Sequence, residues 1–447
     1  MRFHHVIAAL ALGARMLGSA ASSAAQSAAA SPSAPQPSRA DLARALRVLA
    51  TAPVIDGHND LPWRVREDSV HMRDVRAYDL RTHAPGMTDI PRLRQGRVGG
   101  QFWSIYIPGE RGDALYAANG AVSSVPGYAR VQLEQIDIAR EIIDEQPAFA
   151  WALTAAELRA SPRRGKIGSL LGLEGGHAIE NSLAVLRQYY TLGARYMTLT
   201  HNVTLDWADA ALDSAKHGGL TPFGREVVRE MNRVGMLVDL AHVSPGTMSA
   251  ALDVSEAPVI FSHSGARALV NHPRNVPDSI LARVPKNGGV VMVPFVTAFV
   301  SPEVWADDQA AEAEVAAIRR RRGADTAGVA ADYRAWRAAH PRPKASIAQV
   351  ADHIEHVRKL AGVDHVGIGS DFDGITENVV GLEDVSKFPS LFAELARRGW
   401  SDADLAKLSS GNVLRVLAQA ERVAARLQKT RGPSVATIQE LDRGMKP

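Results

Sequence analysis

Eight stretches of the chain are apolar on both alternating sides, and longer segments with apolar residues every three or four positions fall between them. The eight are Pro53–Gly57, Gln101–Ile107, Ile167–Leu173, Arg195–Thr200, Met236–Ala241, Pro258–Ser262, Gly289–Val296 and His365–Ser370. Strands apolar on both faces belong to parallel sheets covered by helices. The segments between them carry helix punctuation. Thr221-Pro222 offers an N-cap followed by proline at the first helical position. Phe223, Val227, Val228 and Met231 then form an apolar stripe, and Gly235 suits the C-terminal cap. Ser244-Pro245 repeats the start signal, and Ser401, Leu405 and Leu408 open a late helix. Arg39 to Ala50 reads as an amphipathic helix with Leu42, Leu46 and Leu49 on one side. Eight strands with crossover helices predict an α/β protein, a (β/α)8 TIM-like barrel. Ser301–Ser346 is too long for a barrel loop and predicts a helical insertion between strands seven and eight. With Asp113–Gly127, the insertion is expected to help roof the site.

The strand runs end in chemistry-bearing residues. All strands of a parallel β/α barrel open on one face, so side chains at their C-terminal ends converge. His58 and Asp60 close strand one, two residues apart and therefore on the same side. Glu174 closes strand three, where a carboxylate can bridge two ions. His242 and His263 close strands five and six and can supply nitrogen ligands to the second ion. A lone histidine at a strand end is more often a hydrogen-bonded core residue. Together, these five groups converge without repulsion only around a cation. Imidazole and carboxylate without thiolate suit zinc, with manganese or cobalt as alternatives. Two ions roughly 3.5 to 4 Å apart can hold a hydroxide and polarise a carbonyl. The reading is a metal-dependent hydrolase.

Three more residues take expected roles. Asp371 closes strand eight and can take a proton from water and pass it to a leaving amine. The alternatives are a third metal ligand or a turn cap; Asp373 is a weaker candidate for the same task. His201 closes strand four and can donate to the oxyanion of a tetrahedral intermediate, or be structural. Arg274, on the loop after strand six, can pair bidentately with a substrate carboxylate, or form an ordinary loop salt bridge. His177, His217, His272, His353, His356 and His365 lack strand-end placement and read as structural or surface residues.

Composition narrows the class further. A chain of 447 residues is long enough for one large barrel. The formal charge is +3, but Arg2 and Arg15 fall in a leader-like segment, so the rest is close to neutral. The only basic run, Arg319 to Arg322, lies in the insertion and reads as a solvated face, so nucleic acid is not an expected partner. The absence of cysteine excludes disulfides, thiolate zinc sites and lipidation at a cysteine. No later apolar run reaches the roughly 18 to 20 residues of a membrane span, and no membrane anchor is expected. Residues 1–25 have a basic start, an apolar run from Val6 to Leu17 and small residues from Ser19 to Ala25. They read as an export signal, with a mitochondrial transit peptide as the competing reading. Residues 26–40 follow as a disordered linker, 41–425 as the barrel with its insertion at 301–346, and 426–447 as a tail. The expected location is the periplasm or the medium.

Several stretches together resemble one family. They are Asp56-Gly57-His58-Asn59-Asp60-Leu61-Pro62, Gly172-Leu173-Glu174-Gly175, Leu199-Thr200-His201-Asn202, Trp207-Ala208-Asp209, Asp239-Leu240-Ala241-His242, Ser262-His263-Ser264, Arg274-Asn275-Val276-Pro277-Asp278 and Gly369-Ser370-Asp371-Phe372-Asp373-Gly374. From Val54 to Leu417 the chain resembles the membrane (renal-type) dipeptidases, zinc peptidases of the amidohydrolase-like barrel superfamily. The resemblance implies two zinc ions per chain. His58 and Asp60 would hold the first, Glu174 would bridge, and His242 and His263 would hold the second. It implies that His201 contacts substrate and oxyanion, Arg274 the substrate carboxylate, and that Asp371 is the proton shuttle. It also implies a homodimer acting on short dipeptides, with a D-residue tolerated at the C-terminal position. A deacylase of N-acyl-amino acids or a β-lactam hydrolase on the same site is the alternative substrate reading. A barrel that kept its fold and lost catalysis is the alternative of a different class. The family's animal members use a lipid anchor and disulfides, and neither is expected here. The 301–346 insertion bars carrying over side-chain preferences.

Overall fold

Every residue of β1 (Val54–Asn59), β2 (Val98–Ser104) and β4 (Ile167–Glu174) is buried. That follows from their apolar runs, which leave no face for water. The computed structural model describes residues 36–109 and 127–443. The expected leader and residues 113–126 of the expected roof lie outside the described residues. The other strands are β3 (Phe149–Trp151), β5 (Ala194–Thr198), β6 (Leu237–Asp239), β7 (Ile260–Phe261), β8 (Val290–Val293) and β9 (Val366–Ile368). The sheet runs β1-β2-β4-β5-β6-β7-β8-β9 with every neighbouring pair parallel, and β3 pairs with β4 off this path. The two ends of the path meet through a parallel bridge, Asn59 with Phe372. The result is the expected (β/α)8 barrel, nearly closed.

The helix signals hold at residue level. Thr221 accepts the Gly224 amide and caps helix Pro222–Val234, Phe223, Val227, Val228 and Met231 are buried, and Gly235 ends it at φ 92°. Ser244 accepts the Thr247 amide and caps helix Pro245–Val254. One stripe is rotated from expectation. Helix Arg39–Thr51 buries Ala45, Val48 and Leu49, whereas Leu42 is 40% exposed. The cause lies on the neighbouring face, where Arg44 reaches Asp402 and the Trp400 carbonyl.

The insertion between barrel strands seven and eight, here β8 and β9, is a helical pair, Pro302–Arg322 and Thr326–Ala339. Ser301 caps the first helix, and Ser346 caps the crossover helix Ile347–Ala361. Asp307 receives both Arg337 and Arg342, and Arg342 also binds Asp308 and Glu377 on the loop after β9, which ties the pair to the barrel. Within the basic run, Arg321 and Arg322 pair with Glu314 and Asp332 and remain about half exposed.

His353, on the crossover helix, is buried and its Nδ1 accepts the Ala266 amide. Burial pushes its pKa down to about 4 from 6.5. Between those values the unfolded chain binds a proton that the folded chain refuses, so stability falls as pH drops from about 6.5 to 4. The full difference is worth ~3 kcal/mol. His353→Asn should flatten that acid limb in denaturant titrations run across the window; an unchanged slope would clear His353 of the effect.

Candidate metal centre

Glu174, the last residue of β4, divides its two oxygens between two groups of side chains. Oε2 lies 3.5 Å from His58 Nε2, while Oε1 lies 3.0 Å from His242 Nε2 and 3.5 Å from His263 Nε2. His58 Nε2 is also 3.3 Å from Asp60 Oδ2 and 4.0 Å from Asp371 Oδ1. His201 stacks beside His242 with ring centroids 4.3 Å apart. The structure therefore brings His58, Asp60, Glu174, His201, His242, His263 and Asp371 together at one end of the barrel. Their donor atoms form three overlapping groups: His58, Glu174 and His263; Glu174, His201 and His242; His58, Asp60 and Asp371.

Local backbone explains how these side chains turn inward. His242, Asp371 and Asp373 have φ of 65°, 66° and 66°, left-handed values that a non-glycine residue adopts at a cost. Each lies just past a strand, where the turn swings its side chain across the barrel mouth. Gly374 follows for a steric reason. A Cβ there would sit 2.3 Å from Asp60 Oδ2 and 2.6 Å from Asp371 Oδ1.

The donor set fits cations. His242 Nε2 and His263 Nε2 are 2.9 Å apart. The Nδ1 atom of each already has an oxygen partner, Asn202 Oδ1 at 3.1 Å and Ser262 Oγ at 2.8 Å. His58 Nδ1 likewise meets the Tyr196 hydroxyl at 2.8 Å, and its buried Nε2 has no hydrogen-bond partner among the described residues. Three Nε2 atoms thus face one another and a carboxylate, which a cation would reconcile. Nitrogen and oxygen donors in a chain without cysteine suit zinc, manganese or cobalt.

The electrostatics agree. Burial opposes the charged form of Glu174, yet His58 and His242 hold its pKa well below the usual carboxylate value. Burial opposes the charged form of His58 too, and Tyr196, Glu174 and Asp60 reverse that, raising its pKa. Burial, with Arg274 nearby, lowers both His242 and His263 far below the ordinary imidazole value, which keeps their lone pairs available. Asp371 is raised well above an ordinary aspartate by burial and by Asp60 and Glu174.

Arg274 is buried, with its guanidinium 5.2 Å from the Phe299 ring and Nη1 without a hydrogen-bond partner among the described residues. Among the described residues it forms no loop salt bridge. His272 Nδ1 accepts the Arg274 amide, and the His272 ring packs against Phe299 and Trp305, both at 4.4 Å. Trp305 belongs to the insertion, which therefore props the loop that carries Arg274. Four other histidines have partners outside the candidate ligand groups. His177 contacts the Ile107 carbonyl, His217 that of Leu205 and His365 that of Gly289, and His356 pairs with Asp278. Asp373 accepts the Met87 amide and supports the 86–88 loop.

Several supporting residues escape sequence reasoning. Ser104 donates to Glu174 Oε2, and Tyr196 reaches His58 from β5. Gly172 makes room for Tyr196, since a Cβ would stand 2.0 Å from its Cζ. No local pattern marks these partners, which meet only across strands.

A β/α barrel with this mixed imidazole–carboxylate cluster at its strand ends defines a barrel metallohydrolase. Residues 42–431 match the membrane dipeptidase family, peptidase family M19, and the chain belongs to that family. It is a metallo-dipeptidase. Among solved structures it is similar to the probable dipeptidase PvdM from Pseudomonas aeruginosa, at 24% identity and TM-score 0.73, covering 86% of this chain and 100% of that one. It is similar to the metallo peptidase dipeptidase AC at 25% identity and TM-score 0.65, covering 83% of this chain and 99% of that one. A Rhodobacter sphaeroides metallo peptidase liganded with a phosphinate mimic of L-Ala-D-Ala shares the fold at 24% identity and TM-score 0.65, covering 82% and 99%. No helix among the described residues is long and apolar enough to cross a membrane.

Proposed function

We propose that this metallo-dipeptidase is a binuclear zinc enzyme that cleaves short dipeptides, including those with a D-residue at the C-terminal position. The observation that carries the reading is the division of Glu174, one oxygen toward His58 and the other toward His242 and His263. His58, Asp60 and Glu174 Oε2 would hold one ion, and His242, His263 and Glu174 Oε1 the other. Bound there, the ions supply Lewis acidity and a water acidified toward neutral pH.

The chain's own residues do the rest. Arg274 presents its unpartnered Nη1 to the substrate's C-terminal carboxylate and fixes the peptide's direction. His201 donates to the carbonyl oxygen as the carbon becomes tetrahedral. Asp371 takes a proton from the attacking water and delivers it to the amine nitrogen as the C–N bond breaks. Alanine at Arg274 should lower kcat/KM for free dipeptides by about 100-fold, the scale of a lost buried charge pair. Dipeptide amides, with no carboxylate to bind, should be slow substrates and nearly indifferent to the change. Equal losses on both substrates would remove Arg274 from carboxylate recognition.

The function is tested with purified protein on L-L, L-D and D-L dipeptides, with and without chelator, while bound metal is counted. Chelator-sensitive cleavage with two zinc per chain is the expected result. Bound metal without dipeptide turnover would favour the deacylase or β-lactam reading, which Arg274 serves equally; N-acylated dipeptides would then be the better substrates. The reading also includes export, on the leader pattern of residues 1–25, and a homodimer. Cell fractionation with N-terminal sequencing and sedimentation of the mature protein check these two points.

A further inference from the structure

Beneath the cluster, one buried arrangement occurs twice. Asp239, in β6, accepts the Ser262 amide at 2.8 Å on Oδ1 and the Ser262 hydroxyl at 2.6 Å on Oδ2. Asp56, in β1, accepts the Ser370 amide at 2.7 Å on Oδ1 and the Ser370 hydroxyl at 2.6 Å on Oδ2. Each aspartate thereby grips the end of an adjacent strand, one beside His263 and the other beside Asp371. Both carboxylates are fully buried.

The two clasps differ in what the serine does next. Asp239 also takes the Ala241 amide at 3.1 Å and the Thr198 hydroxyl at 2.5 Å. Four donors fill the roughly four acceptor positions of an ionised carboxylate, which has no proton to offer. Ser262 has one hydroxyl proton, and Asp239 receives it. The Ser262 oxygen can then only accept from its other neighbour, His263 Nδ1, at 2.8 Å. Among the described residues Ser370 Oγ meets no imidazole; its further neighbours are the His58 carbonyl and the Phe372 amide, both at 3.2 Å.

We propose that Asp239 and Ser262 form a positioning relay that fixes His263 with its proton on Nδ1, and so determines that a bare Nε2 faces Glu174 and His242. This rests on the reading of His263 as a metal ligand. An imidazole held in one tautomer and one orientation offers its lone pair without rearrangement. Partners of this kind are worth about 10- to 100-fold in metal affinity.

The twin clasp supplies the control. Ser262→Ala and Ser370→Ala each remove one buried hydroxyl from an aspartate, so both should lower the melting temperature of the metal-free protein to a similar degree. Only Ser262→Ala frees the His263 tautomer. Zinc competition against chelators of graded strength should show one of two zinc ions weakened about 10- to 100-fold in Ser262→Ala, with Ser370→Ala close to wild type. Asp239→Asn is the second variant. It turns an NH2 toward the hydroxyls, so Ser262 donates to Nδ1 instead and the ring carries its proton on Nε2, the wrong tautomer for a ligand. Nitrogen-15 NMR of histidine-labelled, metal-free protein reads this directly: Nδ1–H at His263 in wild type, Nε2–H in Asp239→Asn. Equal zinc affinities in wild type and Ser262→Ala, or Nε2–H in wild type, overturn the relay alone. Wild-type protein that binds no zinc overturns the ligand reading and the relay together.

Discussion

Glu174→Gln is expected to abolish activity while leaving the barrel folded. The change keeps the side chain's volume but replaces one oxygen with an NH2 donor. The NH2 nitrogen has no lone pair for a cation, so whichever way the amide turns, one of the two groups of side chains loses its carboxylate donor. Oε2 serves His58 at 3.5 Å and Oε1 serves His242 at 3.0 Å, so both halves of the site lose charge and one loses a ligand. On the proposed binuclear zinc reading, bound zinc should fall from two per chain to one or fewer, and kcat/KM should drop by at least about 1,000-fold, since Lewis-acid stabilisation is worth several kcal/mol. Metal counting, kcat/KM and a circular dichroism melt together separate a lost site from a lost fold. A variant that keeps two ions and wild-type turnover would refute the bridging arrangement.

Asp371→Asn should give the opposite combination, with metal retained and turnover lost. Asp371 Oδ1 lies 4.0 Å from His58 Nε2, longer than the 3.3 Å from Asp60 Oδ2 to the same atom. Asparagine fits the same space but cannot receive and pass on a proton. The expected loss is about 100- to 10,000-fold in kcat with KM little changed, the range of general acid–base contributions. The structure also groups Asp371 with His58 and Asp60 as potential ligands. Loss of an ion in Asp371→Asn would therefore reassign Asp371 from proton transfer to metal binding.

Much of this was legible in the sequence because barrel topology converts strand ends into a site. His58, Glu174, His242, His263 and Asp371 each follow an apolar run, and the structure gathers all five. Strand lengths were less legible. Pro258–Ser262 reads as five residues, yet β7 is Ile260–Phe261 alone, because burial makes a residue apolar whether or not it pairs in the ladder. β2 begins at Val98, ahead of the expected Gln101, since Gly99 and Gly100 hide a strand start. At Gly100 a Cβ would come within 2.7 Å of Leu158 Cδ1 and 3.0 Å of Ile55 Cγ1, so a side chain there would have to displace its neighbours. β3 is three residues long, too short for any period, and joins the sheet only from outside the barrel. A π-type turn, Lys407–Gly411, interrupts the late helix without a local signal. The partners that orient the imidazoles were invisible for another reason. Tyr196 and His58 are 138 positions apart, and only the fold makes them neighbours.

The seam between β1 and β9 has a consequence for the order in which the molecule comes into being. It is stitched by the Asp371 amide to the His58 carbonyl, the Asp60 amide to the Phe372 carbonyl, and Ser370 to Asp56, 314 positions apart. Three of these residues, His58, Asp60 and Asp371, also form one of the candidate ligand groups. A nascent chain that has not yet emerged past Gly374 lacks that group, however well its earlier strands have paired. Contacts of such long range are slow to form, because the intervening loop must be closed before they contribute. The group of His58, Asp60 and Asp371 is thus completed only with the last strand, and a chain ended before it is expected to lack dipeptidase turnover.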